Sequence, residues 1–160
     1  KENLRNELLV SMLGQAMQML YTETVREDEG GAYGVPVRAS LNDYPQQQAV
    51  VQIQLPTAPE KVERMTQIIY DGVEKMCNEG PGDEVMQKIR EYMLRSHAEN
   101  LKKNSYWMNS LYNRTRLGYE FVDRYEATVQ RLTSADVRKL ARKVFHSGNR
   151  VVVGMKSPAK

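Results

Sequence analysis

Cysteine occurs once in these 160 residues, at Cys77, and histidine twice, at His97 and His146. One cysteine excludes an internal disulfide but leaves the cellular compartment open. The two histidines stand 49 positions apart, and His97 is followed by Ala98-Glu99-Asn100, so no second His or Glu falls at metal-ligand spacing. Catalytic zinc normally takes three protein ligands, and this chain offers no such set. Each histidine reads as an ordinary polar residue. Neither adjoins a recognisable nucleophile motif, which sets aside Ser-His-Asp and Cys-His chemistry. A charge of one sign is also missing: 23 Lys and Arg against 20 Asp and Glu leave only +3. The basic residues are scattered among the acids, with no stripe to follow a phosphate backbone, so nucleic acid is not an expected partner. No run approaches the roughly 18 consecutive apolar residues of a membrane-spanning helix. Repeats and low-complexity tracts are absent as well.

What remains is a globular composition, 41% hydrophobic and 27% charged, at a length that suits one domain. The chain opens Lys-Glu-Asn without an initiator Met and enters an amphipathic pattern almost at once. The expectation is a piece of a longer protein whose targeting information lies elsewhere.

Leu4, Leu8, Met12, Ala16 and Leu20 recur every four residues, and Leu9, Leu13 and Met19 widen the stripe. That spacing predicts a helix from about Asn3 to Arg26, closed by Gly30-Gly31. The period then changes to two. Tyr33, Val35, Val37, Ala39 and Leu41 alternate with Gly34, Pro36, Arg38 and Ser40, and Ala49, Val51, Ile53 and Leu55 alternate with more polar neighbours. With Asn42-Asp43-Tyr44-Pro45-Gln46 between them, strands over 33–41 and 48–55 form an antiparallel hairpin. Val35, Val37, Val51 and Ile53 should face the helices, while Arg38, Ser40, Gln52 and Gln54 make a polar face. Pro36 favours a strand edge or a bulge.

Helices follow. One starts near Pro59, carries Val62, Met65, Ile69, Val73 and Met76 inward, and stops at Gly80-Pro81-Gly82. Cys77 on that helix reads as a small buried hydrophobe. Another runs over 83–103, with Val85, Ile89, Tyr92, Met93 and Leu101 inward. Shorter helices fit 105–116 and 119–131, and Tyr106, Trp107 and Tyr112 near Met108 and Leu111 fit a peptide-binding patch, although residues at helical spacing are more often core. Thr133-Ser134-Ala135-Asp136 resembles a capping box before a last helix to Phe145. Arg150-Val151-Val152-Val153-Gly154-Met155 reads as a closing strand. The fold class is α+β, an antiparallel or mixed sheet with several helices packed on one face. Three strands make a thin sheet, so further strands are expected before Lys1.

The stretch Val25-Arg26-Glu27-Asp28-Glu29-Gly30-Gly31-Ala32-Tyr33-Gly34-Val35 resembles the Arg-Glu-x-x-Gly-x-x-Tyr segment in the C-terminal half of pitrilysin/insulinase-family zinc peptidases. Leu55-Pro56 before Pro59-Glu60, Gly80-Pro81 before Asp83-Glu84, and Leu132-Thr133-Ser134-Ala135-Asp136-Val137 resemble other steps of that family in the same order. Together they cover nearly the whole chain. The resemblance implies a single, partial C-terminal domain over 1–160, with the zinc domain upstream and no cofactor in this chain. Its partners would be the N-terminal catalytic half of the same protein and peptide substrates. It implies that Arg26 and Tyr33 bind substrate near the scissile peptide and help to stabilise the tetrahedral intermediate. The residues alone fit a simpler account too. An Arg at a helix C-terminus is favoured by the helix dipole, and Tyr33 shares the parity of Val35. A family member that has lost catalysis and serves as a structural or partner-binding subunit fits the same motifs, and an unrelated helical binding module fits if their order is chance. Many bacterial relatives with a tandem layout work in the cell envelope, which makes the periplasm or envelope the expected location.

Overall fold

The computed structural model describes residues 3–27, 34–42 and 45–155, with the side chains of residues 26 and 27 outside that description. Its elements are α1 (Leu4–Glu27), β1 (Val37–Asn42), β2 (Gln48–Ile53), a single 3-10 turn (Pro59–Lys61), α2 (Val62–Asn78), α3 (Asp83–Asn100), α4 (Asn104–Leu117), α5 (Tyr125–Arg131) and α6 (Ser134–Phe145). The class is α+β, with the helices packed against one face of an antiparallel pair.

The first helix is the spine. Leu4, Leu8, Leu9, Met12, Leu13, Ala16, Met17, Tyr21 and Val25 are all buried, a stripe wide enough for α1 to touch β1, α2, α3, α5 and α6. Each such side chain withdrawn from water contributes about 1.5–3 kcal/mol, which offsets the cost of ordering the chain. Close approach matters at one point. A Cβ on Gly14 would stand 2.8 Å from the Cβ of Ala39, so the missing side chain lets α1 lie directly across β1.

Parity is as expected. Val37 pairs with Ile53, Arg38 with Gln52 and Ala39 with Val51. Burial alternates along both strands: Val37, Val51 and Ile53 are half-buried, while Arg38, Ser40, Gln52 and Gln54 are exposed. Both strands are shorter than 33–41 and 48–55. Pro36 carries no N–H for the ladder, and β1 begins just after it; one further bond, Gln54 N–H to Pro36 O at 2.9 Å, prolongs the pairing by main chain alone. The proposed helix stop at Gly30-Gly31, and Asp43-Tyr44 of the turn, lie outside the described residues.

Several helix expectations need correction. Val62 is 39% exposed and Tyr92 61% exposed, because both sit on the outward side of helices whose inner faces are filled by Met65, Met76, Ile89 and Met93. α3 stops at Asn100, three residues early, where Lys102 and Lys103 N–H groups turn back to Glu99 and Asn100 carbonyls. Residues 119–124 are not helical. The Glu120 carboxylate accepts the Val122 N–H at 2.8 Å, a local bond that competes with helix, and α5 begins only at Tyr125. Residues 150–155 form no strand either. Val151, Val152, Val153 and Met155 are exposed, since a strand needs a ladder and no described strand lies alongside. The capping box does form: Thr133 Oγ1 accepts the Asp136 N–H, and Asp136 accepts the Thr133 N–H.

Candidate functional site

Arg26 occupies the penultimate position of α1, its side chain outside the described residues, and Tyr33 lies outside them altogether. The frame around them is well defined on both sides. On the helix side Val25 is buried, and Tyr21, fully buried one turn earlier, donates its hydroxyl to Ile69 O at 2.8 Å. On the strand side Val35 is fully buried, and Gly34 has φ +95, a backbone that glycine adopts without a Cβ penalty. Gln18 links the two sides. Its Nε2 donates to Val35 O (3.1 Å) and its Oε1 accepts from Val37 N–H (2.8 Å). Gln18 therefore ties the strand entry at Val35–Val37 to the spine helix. An Arg fork and a phenol are donor groups suited to a peptide carbonyl or a developing oxyanion.

A second constellation escaped the sequence. His97 on α3, read above as an ordinary polar residue, is buried at 3% exposure. Its ring stacks on Tyr125 with centroids 4.0 Å apart and planes 3° from parallel. Its Nδ1 shares a hydrogen bond of 3.0 Å with the Tyr106 hydroxyl, the direction depending on the tautomer. Burial pushes the imidazole below its usual range, against the opposing pull of Glu126. Burial, with Tyr106 and Tyr92 nearby, pushes Tyr125 up to about 12. These groups line one side of a cleft of about 360 Å³ whose other walls include Glu7, Ser11, Ser40 and Phe121. Glu7 accepts the Tyr119 hydroxyl at 2.7 Å. No periodic pattern links positions 97, 106 and 125; they meet because α4 brings Tyr106 and α5 brings Tyr125 to the same ring on α3.

Metal chemistry does not fit the donors in view. His97 is held between two tyrosines, and His146 Nε2 lies 3.6 Å from a Glu74 carboxylate on the surface. Among the described residues no group of three or more His, Cys, Asp or Glu is placed to hold a metal ion. Burial, with Glu74 nearby, raises the Cys77 thiol while Arg142 opposes the shift, so Cys77 stays an unreactive thiol in the core. No helix among the described residues is long and apolar enough to cross a membrane.

The family described as the peptidase M16 inactive domain matches residues 1–93, which span α1, both strands, α2 and most of α3. The chain belongs to this family. No curated protein matches its sequence at a significant level. Solved structures share its fold. The periplasmic protease PqqL from Escherichia coli aligns at a TM-score of 0.73 and 14% identity, over 91% of this chain and 16% of that one. A mutant of the ferredoxin protease FusC, in complex with Arabidopsis ferredoxin, gives 0.74 and 13%, over 90% of this chain and 16% of that one. A protease from Helicobacter pylori gives 0.73 and 14%, over 88% and 35%. The chain thus spans about a sixth of the first two and about a third of the other. The matched family is a peptidase family, as the resemblance to pitrilysin/insulinase-type enzymes implies, and its model is described as that of an inactive domain.

Proposed function

We propose that this chain is the non-zinc-binding C-terminal domain of a larger zinc metalloendopeptidase and closes a chamber over peptides cut in a catalytic half upstream in the same protein. The family match across residues 1–93 carries this reading, because it takes in the whole passage from α1 through Arg26 and Tyr33 to β1. Zinc held in the upstream half would polarise the scissile carbonyl and activate water. The work of this chain is to bind and orient. Arg26 offers its planar fork to substrate near the scissile peptide, and Tyr33 donates one hydrogen bond to the oxygen that gains charge. The buried Val25 and Val35 and the Gln18 bonds support the reading by holding the helix end and the strand entry that flank this segment.

The test is kcat/KM beside thermal unfolding in the full-length protein. Tyr33→Phe should lower turnover by up to about 10²–10³ while leaving the unfolding temperature nearly unchanged. Arg26→Lys keeps the charge but loses the fork and should be impaired as well. If Tyr33→Phe keeps full activity, or loses it only in step with folded protein, Tyr33 is a packing residue. A full-length protein with no peptidase activity supports the structural-subunit alternative.

A further inference from the structure

Helix α4 is the least embedded of the six α-helices. Ser110 is its one buried residue, and it is tied down by three polar contacts at its inner side and ends: Tyr106 to His97, Trp107 Nε1 to Leu101 O at 2.8 Å, and Arg114 to Glu120 at 3.3 Å. Its outer side is apolar. Trp107 is 43% exposed, Met108 70%, Leu111 58% and Tyr112 65%. Positions 107, 108, 111 and 112 fall on one face of a helix, so these are a contiguous stripe and not scattered single side chains. Solvation alone gives no reason for such a stripe. Exposed cations flank it, Lys102 and Lys103 before it and Arg116 after it, and no acidic residue occurs within α4.

Size decides what it is for. With about 150–250 Å² for each aromatic side chain, these exposures amount to roughly 500 Å². A stable complex between free partners takes about 800 Å² from each, more than this stripe offers by itself. Domains joined in one chain meet through smaller interfaces, roughly 600–1,500 Å² in total, because the linker keeps them at high effective concentration. The solved structures that share the fold come from longer chains, of which this one covers 35% and 16%.

We infer that the Trp107–Tyr112 face of α4 is the seat of another domain of the same polypeptide, one presenting an apolar patch with carboxylates at its rim. The inference rests on the proposed place of this chain in a longer peptidase, but it is read without measuring peptidase activity. Benzoylphenylalanine is placed at Met108, and separately at Glu91 on the exposed side of α3 as a control, in the full-length protein. After photolysis, mass spectrometry identifies what each position reached. The expected result is a cross-link from position 108 to a segment of the same molecule outside residues 1–160, absent from position 91 and abolished by Leu111→Lys. Mixed isotopic labelling separates links within a molecule from links between copies. Links between copies, links only within residues 1–160, or none above the control would each overturn the inference. A full-length protein that shows no hydrolysis but gives the expected cross-link would count against the peptidase reading alone.

Discussion

The side-chain amide of Gln18 holds the backbone at Val37 much as a neighbouring strand would, accepting its N–H at 2.8 Å while the same amide donates to Val35 O at 3.1 Å. Pro36 lies between the two bonded residues and has no N–H of its own, so a partner reaching in from α1 replaces the ladder where β1 has yet to begin. Leaving partly buried backbone groups without a partner costs about 1–3 kcal/mol. Gln18→Ala should therefore lower the unfolding free energy by about 1–2 kcal/mol, read from urea titration. Gln18→Met tests the cause, since it fills similar volume without the bonds. It should be destabilised nearly as much, and restored stability in Gln18→Met would mean that packing, not the amide, holds the strand entry.

A second relationship fixes α2 against the spine. A Cβ on Gly72 would run into Cε1 of Tyr21, whose ring is fully buried and whose hydroxyl is held by Ile69 O. The ring has nowhere to retreat. Gly72→Ala should lose about 1–3 kcal/mol through overpacking, despite the better helix propensity of Ala. Tyr21→Phe removes only a hydrogen bond and should lose about 0.5–1.5 kcal/mol. In the double variant Gly72→Ala/Tyr21→Phe, a sum far from additive would report the direct contact between these positions. Thermal unfolding monitored by circular dichroism checks all three, and an unchanged Gly72→Ala protein would show that α2 can shift freely.

Much of this fold was legible because hydrophobic period is a local signal. The stripe Leu4–Leu8–Met12–Ala16 gives α1, and strand parity places Val37, Val51 and Ile53 inward, since a slip by one residue would expose all of them. The capping box at Thr133–Asp136 is equally local. What failed depends on the rest of the molecule. Trp107, Met108, Leu111 and Tyr112 have the spacing of a core face, but periodicity says only that a face exists, not what covers it. Val151–Val153 have strand propensity, yet no described strand lies alongside to pair with them. The His97 cluster was invisible because its three members come from α3, α4 and α5 and meet only when α4 and α5 return to α3. Of the candidate pair, Arg26 and Tyr33 were named from motif resemblance, and spacing alone gave them no role.

The buried imidazole makes a pH prediction whose sign can be worked out. His97 ordinarily titrates near about 6.5, and burial lowers it in the folded protein, partly opposed by Glu126. Between the depressed folded value and about 6.5 the unfolded chain binds a proton that the folded one refuses. The unfolded state then binds more protons, so stability rises with pH across that window. The contribution is complete above about 6.5 and is lost as pH falls through the folded value. The other groups around the ring are Tyr106 from α4, Tyr125 and Glu126 from α5, and Glu7 across the cleft. The tyrosines are pushed upward by burial and do not titrate in this range. Asp136 titrates lower still: burial raises it, but its bonds to Thr133 and the charge of Arg5 outweigh that, so it acts only in stronger acid. Urea unfolding at pH values from 5 to 8 should therefore show a decline below about 6.5. His97→Phe keeps an aromatic face against Tyr125 and removes the titration, so its profile should be flat where the native protein declines, even if its stability is lower throughout. Parallel profiles for the two proteins would assign the decline to another group and leave His97 a packing residue only.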